Sequence, residues 1–306
     1  MNKTLLAGLL ITAVMIAASI FGKYFAPHDL NDRLKITYVV GENGKGTVIA
    51  PPSSPNAKYP FGTDKHGYDM MAKLLAGARY TIVVSLAVAF ARVLIGGILG
   101  MFLGYFGNEK KSRVSRLPIW NVLNGIPIFI IVWMIMIGIS MNPEASSFEM
   151  SFILAVVLTL VGFPSVAFTM KEKTLVVREK QFVLSAKALG AGQLTIIRSH
   201  IFPHMKESFV IMFVQEIVLI LGLFGNLAIF NIFVGGTTVN VSPTEYISRT
   251  NEWGGLIGQV RNHLHHYQWI LFIPLAVYVV FIFGFHLISV GLEKMYKKRF
   301  AKFSHI

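Results

Sequence analysis

Two charged residues lie inside apolar runs of this 306-residue chain: Arg92 in the middle of one and Glu216 in the inner half of another. Charge in hydrocarbon is costly, so both are candidate functional positions facing protein or a water-filled cavity. Arg92 is 14 residues from the inner end of its run and Glu216 seven from the start of its own, a depth difference of roughly 10 Å at about 1.5 Å per residue. Separate satisfaction, by the bundle or a subunit interface, is therefore expected over direct pairing. His263, His265 and His266 form a second group. Imidazole ligates metal and positions 263 and 266 share a helix face, but Tyr267 and Trp269 mark an interfacial stretch where histidine is ordinary, so no metal site is expected. No Gly-x-x-x-x-Gly-Lys-Ser/Thr loop, Gly-x-Ser-x-Gly elbow or His-Glu-x-x-His helix occurs. The expectation is a chain with no catalytic residue and no cofactor, which does not bind ATP through a phosphate loop.

The third group, residues 182 to 203, is a polar island between two apolar runs. Leu175 to Leu189 reads as a short amphipathic helix, Gly190-Ala191-Gly192 as a break tolerating positive φ, and Leu194 to Phe202 as a second helix stopped by Pro203. Small side chains at Ser185, Ala186, Ala188 and Ala191 would let another protein approach, while Phe182, Leu189 and Ile197 could enter an apolar groove. This is a shape for docking.

Elements to position these groups follow from composition. With 54% hydrophobic residues, 14% charged and a mean hydropathy of +0.60, the chain requires the bilayer as its solvent. Six membrane-spanning helices are expected: Leu5 to Phe21, Tyr80 to Phe106, Ile119 to Ile139, Phe152 to Met170, Phe209 to Val234 and Trp269 to Val290. The first is read as a retained helix within residues 1–25 rather than a cleaved signal peptide, because its 17-residue apolar run is long for a signal. Lys and Arg number four in 107–117, seven in 171–206 and five after Leu292, against none in 141–149 and two in 235–268. That bias puts both termini, the 171–206 loop and the basic tail 293–306 in the cytoplasm. The net charge of +13 is assigned to attraction for anionic lipid headgroups, not nucleic acid. There is no cysteine, which excludes disulfides and thiol chemistry.

Between the first two spans, 26–79 reads as an extracytoplasmic segment with a small hairpin, Ile36 to Val40 paired with Thr47 to Ile49, and a stiff Pro51-Pro52-Ser53-Ser54-Pro55 stretch. It leads into Pro60-Phe61-Gly62-Thr63-Asp64-Lys65-His66-Gly67-Tyr68-Asp69, followed by Gly77-Ala78-Arg79 and Gly104-Tyr105-Phe106-Gly107. This series resembles the C-type membrane subunit of dipeptide, oligopeptide and nickel importers of the ABC class. The 182–203 island, with Ala186, Gly190 and Pro203, resembles the EAA loop of those subunits, and Trp253-Gly254-Gly255 extends the match. Departures are Leu184, Ser185 and Phe202 within the loop, Asn226 to Phe233 where relatives run Leu-Ser-Phe-Leu-Gly-Leu-Gly, and an apparent insertion at 237–252.

The resemblance implies an all-α permease bundle with core 80–292, paired with a second homologous permease subunit. It further implies two cytoplasmic ABC ATPases holding ATP and magnesium, and an extracytoplasmic binding protein delivering short peptides. Phe182, Ser185, Ala186, Leu189, Gly190, Ile201 and Pro203 would form the ATPase-coupling loop. Nickel or a metal chelate is the alternative cargo. A membrane-anchored enzyme or an ion-coupled carrier would need clustered intramembrane titratable groups, and the sequence does not supply them. Gly96, Gly100 and Gly104 recur on one face and are read as a packing surface. Pro127, Pro164 and Pro274 are read as interruptions of helices.

Overall fold

The computed structural model describes residues 2–40, 46–107, 126–261 and 266–303. It is mainly helical. Helix α1 is Lys3–Phe25, α2 Met70–Phe106, α3 Ile128–Ser140, α4 Ser147–Arg178, α5 Gln181–Ala188, α6 Gln193–Ile196, α7 Phe202–Ile229, α8 Trp253–Gly258 and α9 Gln268–Phe303. Among the described residues, five helical stretches are long and apolar enough to cross a membrane, in α1, α2, α4, α6 through α7, and α9. The third expected span is seen only as α3, 13 residues long; its earlier part lies outside the described residues. Large apolar side chains such as Leu10, Phe90 and Phe168 stand exposed, as the lipid-facing side of a bundle requires.

Local sequence starts the helices. Asn2 accepts from the amide of Thr4 at the head of α1, Asp69 accepts from Met71 N in α2, and Ser146 with Glu149 forms a capping box on α4. Each satisfies amides that the first turn leaves without intrahelical partners. Helix α2 begins at Met70, ten residues before the apolar run, because Asp69 caps it there. Its 37 residues span about 55 Å, so its first turns stand beyond a hydrocarbon core of about 30 Å.

Pro164 and Pro274 lie inside α4 and α9, whereas Pro127 is the N-cap of α3. Pro203 does not stop a helix as expected: it lies in the first turn of α7, with helical backbone on both sides. Within continuing helix a proline lacks the N–H donor and its ring crowds the carbonyl four residues back, here Ser199, which lies in a widened turn. That turn, Ile197–Ile201, is π-helical and joins α6 to α7 without a break.

Two antiparallel hairpins sit between helices. Thr37–Val40 (β1) pairs with Gly46–Ile49 (β2), within a residue of the expected hairpin. Thr237–Val241 (β3) pairs with Thr244–Ser248 (β4), which gives structure to the apparent insertion.

The glycine stripe is a packing surface. A Cβ on Gly96 would lie 2.6 Å from Phe163 O, one on Gly100 2.3 Å from Ala167 O, and one on Gly104 2.7 Å from Lys171 O. The stripe on α2 thus meets backbone carbonyls at the same four-residue interval on α4, close enough that only glycine fits. Gly100→Ala is expected to lower stability by about 1–3 kcal/mol, because backbone must move to admit the methyl. Gly222→Ala, where nothing lies within 4 Å, is expected to stay within about 1 kcal/mol of the parent. Thermal unfolding in detergent, monitored by circular dichroism, checks the difference.

Candidate functional site

At one end of the bundle, the chain between α4 and α7 folds back on itself. Helix α4 runs to Arg178, and Glu179 is its C-cap. The expected helix from Leu175 to Leu189 is therefore two pieces: the last turn of α4, then α5 from Gln181. The Arg178 guanidinium explains the anchoring, since it donates to the carbonyls of Gly104, Tyr105 and Gly107 at the end of α2. A cation there complements the free carbonyls of a helix C-terminus.

Beyond α5, Gly190 takes φ +83°, a conformation that glycine adopts without strain. Ala191 N donates to Ala186 O and Gly190 N to Lys187 O, which closes the turn. The knob so formed has a defined inside. Val183, Ile196, Ile197 and Ile201 pack with Met101, Met170 and Met205, and Ala186 is buried as well. Ile197 and Ala186 were expected on the docking face; both turn inward. An amphipathic element this short spends its apolar residues on its own seat. Ile201 likewise belongs to the core, while Ser185 and Pro203 are exposed. Phe182 is half-buried and stacks on His204, ring centroids 4.4 Å apart.

What the knob presents outward is leucine. Leu189 is 89% exposed and Leu194 71%, on either side of the Gly190 turn. Leu184 and Phe202 are also exposed. Leu189 was read from sequence; Leu194 was missed, because its side-chain direction depends on how the turn folds. An exposed apolar group ringed by Lys187, Arg198 and other polar residues has the make-up of a protein contact.

Arg92 and Glu216 do meet, contrary to the expected separate satisfaction. Arg92 Nη1 donates to Glu216 Oε2 at 3.1 Å, while Nε and Nη2 donate to Leu158 O at 2.9 and 2.6 Å. Counted from Phe209, where the apolar run begins, Glu216 stands too shallow, because helical backbone already runs unbroken from Gln193 through Ile229. The hydrogen bond puts the two residues at one level. Gly162 clears the way, since a Cβ there would lie 2.0 Å from Arg92 Cζ. Three helices, α2, α4 and α7, are thereby tied at one level.

At the opposite end, the Pro60 to Asp69 segment is a built structure, a role the sequence reading left unassigned. Asp64 accepts from the amides of His66 and Tyr68 at 2.9 Å each and pairs with Lys73 of α2. Gly62, at φ +71°, brings the chain against Ser53 O and Trp269. Asp69 pairs with His28 at 3.0 Å, and Glu245 of the β3–β4 hairpin pairs with Lys65 at 2.6 Å and His66 at 3.3 Å. Nearby, Trp253 N donates to Thr81 Oγ1 and Trp253 Nε1 to Leu74 O, which seats α8 on α2. Glu252 caps α8 by accepting from Gly254 N at 2.8 Å. Fully buried, its carboxyl is pushed up to about 7 by desolvation, against which hydrogen bonds from nearby amides pull back.

Among the described residues, no three His, Cys, Asp or Glu side chains gather as a metal site. His263 and His265 lie outside the described residues; His266 is exposed beside Tyr267.

Residues 96–300, which include the knob and the Arg92-facing parts of α4 and α7, match the family described as binding-protein-dependent transport system inner membrane component. The chain belongs to that family. It is therefore a multi-pass membrane permease, a transport component that works with other subunits. This permease is 25% identical to the oligopeptide transport system permease protein OppC of Bacillus subtilis (strain 168), over 95% of this chain and 84% of that protein. It is 24% identical to the probable D,D-dipeptide transport system permease protein DdpC of Escherichia coli (strain K12), over 93% and 84%. With the dipeptide transport system permease protein DppC of Haemophilus influenzae it shares 22% identity over 95% and 89%.

Two expectations follow for the permease. Replacing Glu216 alone by Met strands the buried Arg92 charge and costs about 3 kcal/mol or more. The double change with Arg92→Met costs less than the two single changes added together, as thermal unfolding of the four proteins would show. Glu252 sets a pH dependence. Its folded pKa near 7 lies above an ordinary value of 4.5, so the folded state binds the extra proton between those limits. Stability is then lost as pH rises from about 4.5 through 7, by about 3 kcal/mol in all, and Glu252→Gln flattens that slope in a thermal-melt series across pH.

Proposed function

We propose that this permease is one half of the membrane path of an ATP-driven importer of short peptides. A second homologous permease subunit supplies the other half, and two ABC ATPases in the cytoplasm, holding ATP and magnesium, drive the cycle. A binding protein delivers peptide at the outer face. The permease itself carries no ATPase site, and it lies in the bacterial cell membrane with both termini inside, in keeping with the Lys and Arg bias of its loops.

The observation that carries this reading is the knob. Leu189 and Leu194 offer an apolar contact on a compact turn, and the polypeptide leaving that turn passes through α6 and the π-helical turn directly into α7. A push on the knob by closing ATPases is delivered to a helix that reaches the Arg92–Glu216 level. Rigid transmission of this kind is what alternating access requires. Peptide cargo is favoured because the relatives described above are named for oligopeptide, dipeptide and D,D-dipeptide transport; nickel has no comparable support.

Leu189→Asp combined with Leu194→Asp is expected to leave the permease inserted and folded but reduce co-purification of the ATPases at least tenfold. Gly190→Val strains the φ +83° turn and is expected to uncouple ATP hydrolysis from uptake of trialanine in proteoliposomes of the complete transporter. Undiminished ATPase association in the double leucine variant and undiminished uptake with Gly190→Val would overturn the docking role. Failure of the unaltered transporter to take up any di- to pentapeptide would overturn the cargo.

A further inference from the structure

A cavity of about 290 Å³ opens at the knob end of the bundle, at the small end of the roughly 300–1,000 Å³ range of ligand pockets. Helix α4 contributes Lys173 to its wall, α7 contributes His204, Glu207 and Gln215, and α9 contributes Glu293 and Lys297. Both signs of charge therefore face one small space. Gln215 Nε2 donates to Glu293 Oε1 at 2.9 Å, which fixes that carboxylate, and Lys173 lies within electrostatic reach of it. The cavity is also wired to the docking knob. His204 is held by a hydrogen bond between Nδ1 and His200 O at 2.8 Å, and its ring is the one on which Phe182 of α5 stacks. Phe182 of α5 thus touches a residue of the cavity wall.

We propose that this cavity is a release-side binding site for the charged ends of a transported short peptide. The cations Lys173 and Lys297 take the peptide carboxylate, and the carboxylates Glu207 and Glu293 take its ammonium group. Charge-assisted hydrogen bonds from both ends select a zwitterion of a few residues over a neutral solute. Because the cavity is open on one side, binding is weak, as a site that hands its ligand to the cytoplasm must be. The stack of Phe182 on His204 lets the ATPase-bound state of the knob alter the site.

The inference rests on the peptide-import reading, and the test separates the two. Complete transporter is reconstituted in vesicles of phosphatidylcholine and phosphatidylglycerol, and uptake of labelled trialanine is measured beside ATP hydrolysis. Lys173→Gln and Glu293→Gln are expected to slow uptake at least fivefold while hydrolysis stimulated by loaded binding protein is retained. In parallel, the full permease in nanodiscs of the same lipids is titrated with trialanine and with N-acetyl-trialanine amide. Saturable binding of the free peptide, lost when both ends are blocked and weakened in both variants, supports the site. Unaltered transporter that imports no trialanine would sink the cargo reading and this site together. Import that continues unchanged in both variants would overturn the site alone, as would equal binding of free and blocked peptide. Phosphatidylethanolamine carries the same pair of charges. If the nanodisc permease binds no trialanine but retains that lipid in a Lys173- and Glu293-dependent way, the cavity is a lipid headgroup site and the proposal fails.

Discussion

The bundle is organised by direct backbone contact between α2 and α4. Gly96, Gly100 and Gly104 set the two helices against each other with carbonyl oxygens where side chains would otherwise stand. At that spacing the Arg92 side chain reaches Leu158 O on α4 and still has one nitrogen for Glu216 on α7. A wider separation would leave a guanidinium in the bundle without its carbonyl, a cost that no neighbouring contact offsets. The close contact also brings Arg178 at the end of α4 to the last carbonyls of α2, and this fixes where α4 stops and the knob begins.

The knob is consequently built from the core outward. Val183, Ile196, Ile197 and Ile201 hold it to Met101, Met170 and Met205, and the few apolar residues left over, Leu189 and Leu194, become its outer face. One short segment serves both as a seat in the bundle and as a contact surface, with Gly190 reversing the chain between them. Helix α7 then leaves without a break, since the π-helical turn Ile197–Ile201 directly precedes Pro203 and gives its ring room.

The opposite end uses a different physical device. Polar side chains hold Pro60 to Asp69, α8 and the β3–β4 hairpin around the tops of α2 and α9: Asp64 with Lys73, Asp69 with His28, Glu245 with Lys65 and His66, and Thr81 with the Trp253 amide. Glu252, wholly buried here and easily protonated near neutral pH, places a titratable group within an otherwise tightly bonded layer.

Membrane class, the placement of most long helices, the β1–β2 hairpin and the glycine stripe are legible in the amino-acid sequence. Each rests on local composition or on a fixed period, which survives any change in tertiary packing. The resemblance to permeases is likewise legible in ordered motifs such as Pro60 to Asp69 and Ala186 to Pro203. That Arg92 and Glu216 share a level came from the fold, because apolar composition marks where a span looks hydrophobic and not where its helix begins. So did the inward turn of Ile197 and Ala186 and the outward turn of Leu194, since a short segment that is apolar on several sides is sorted by what it packs against. Glu252 was invisible for the same reason: an acid between spans reads as solvent-exposed until α2, α8 and the end of α7 close around it.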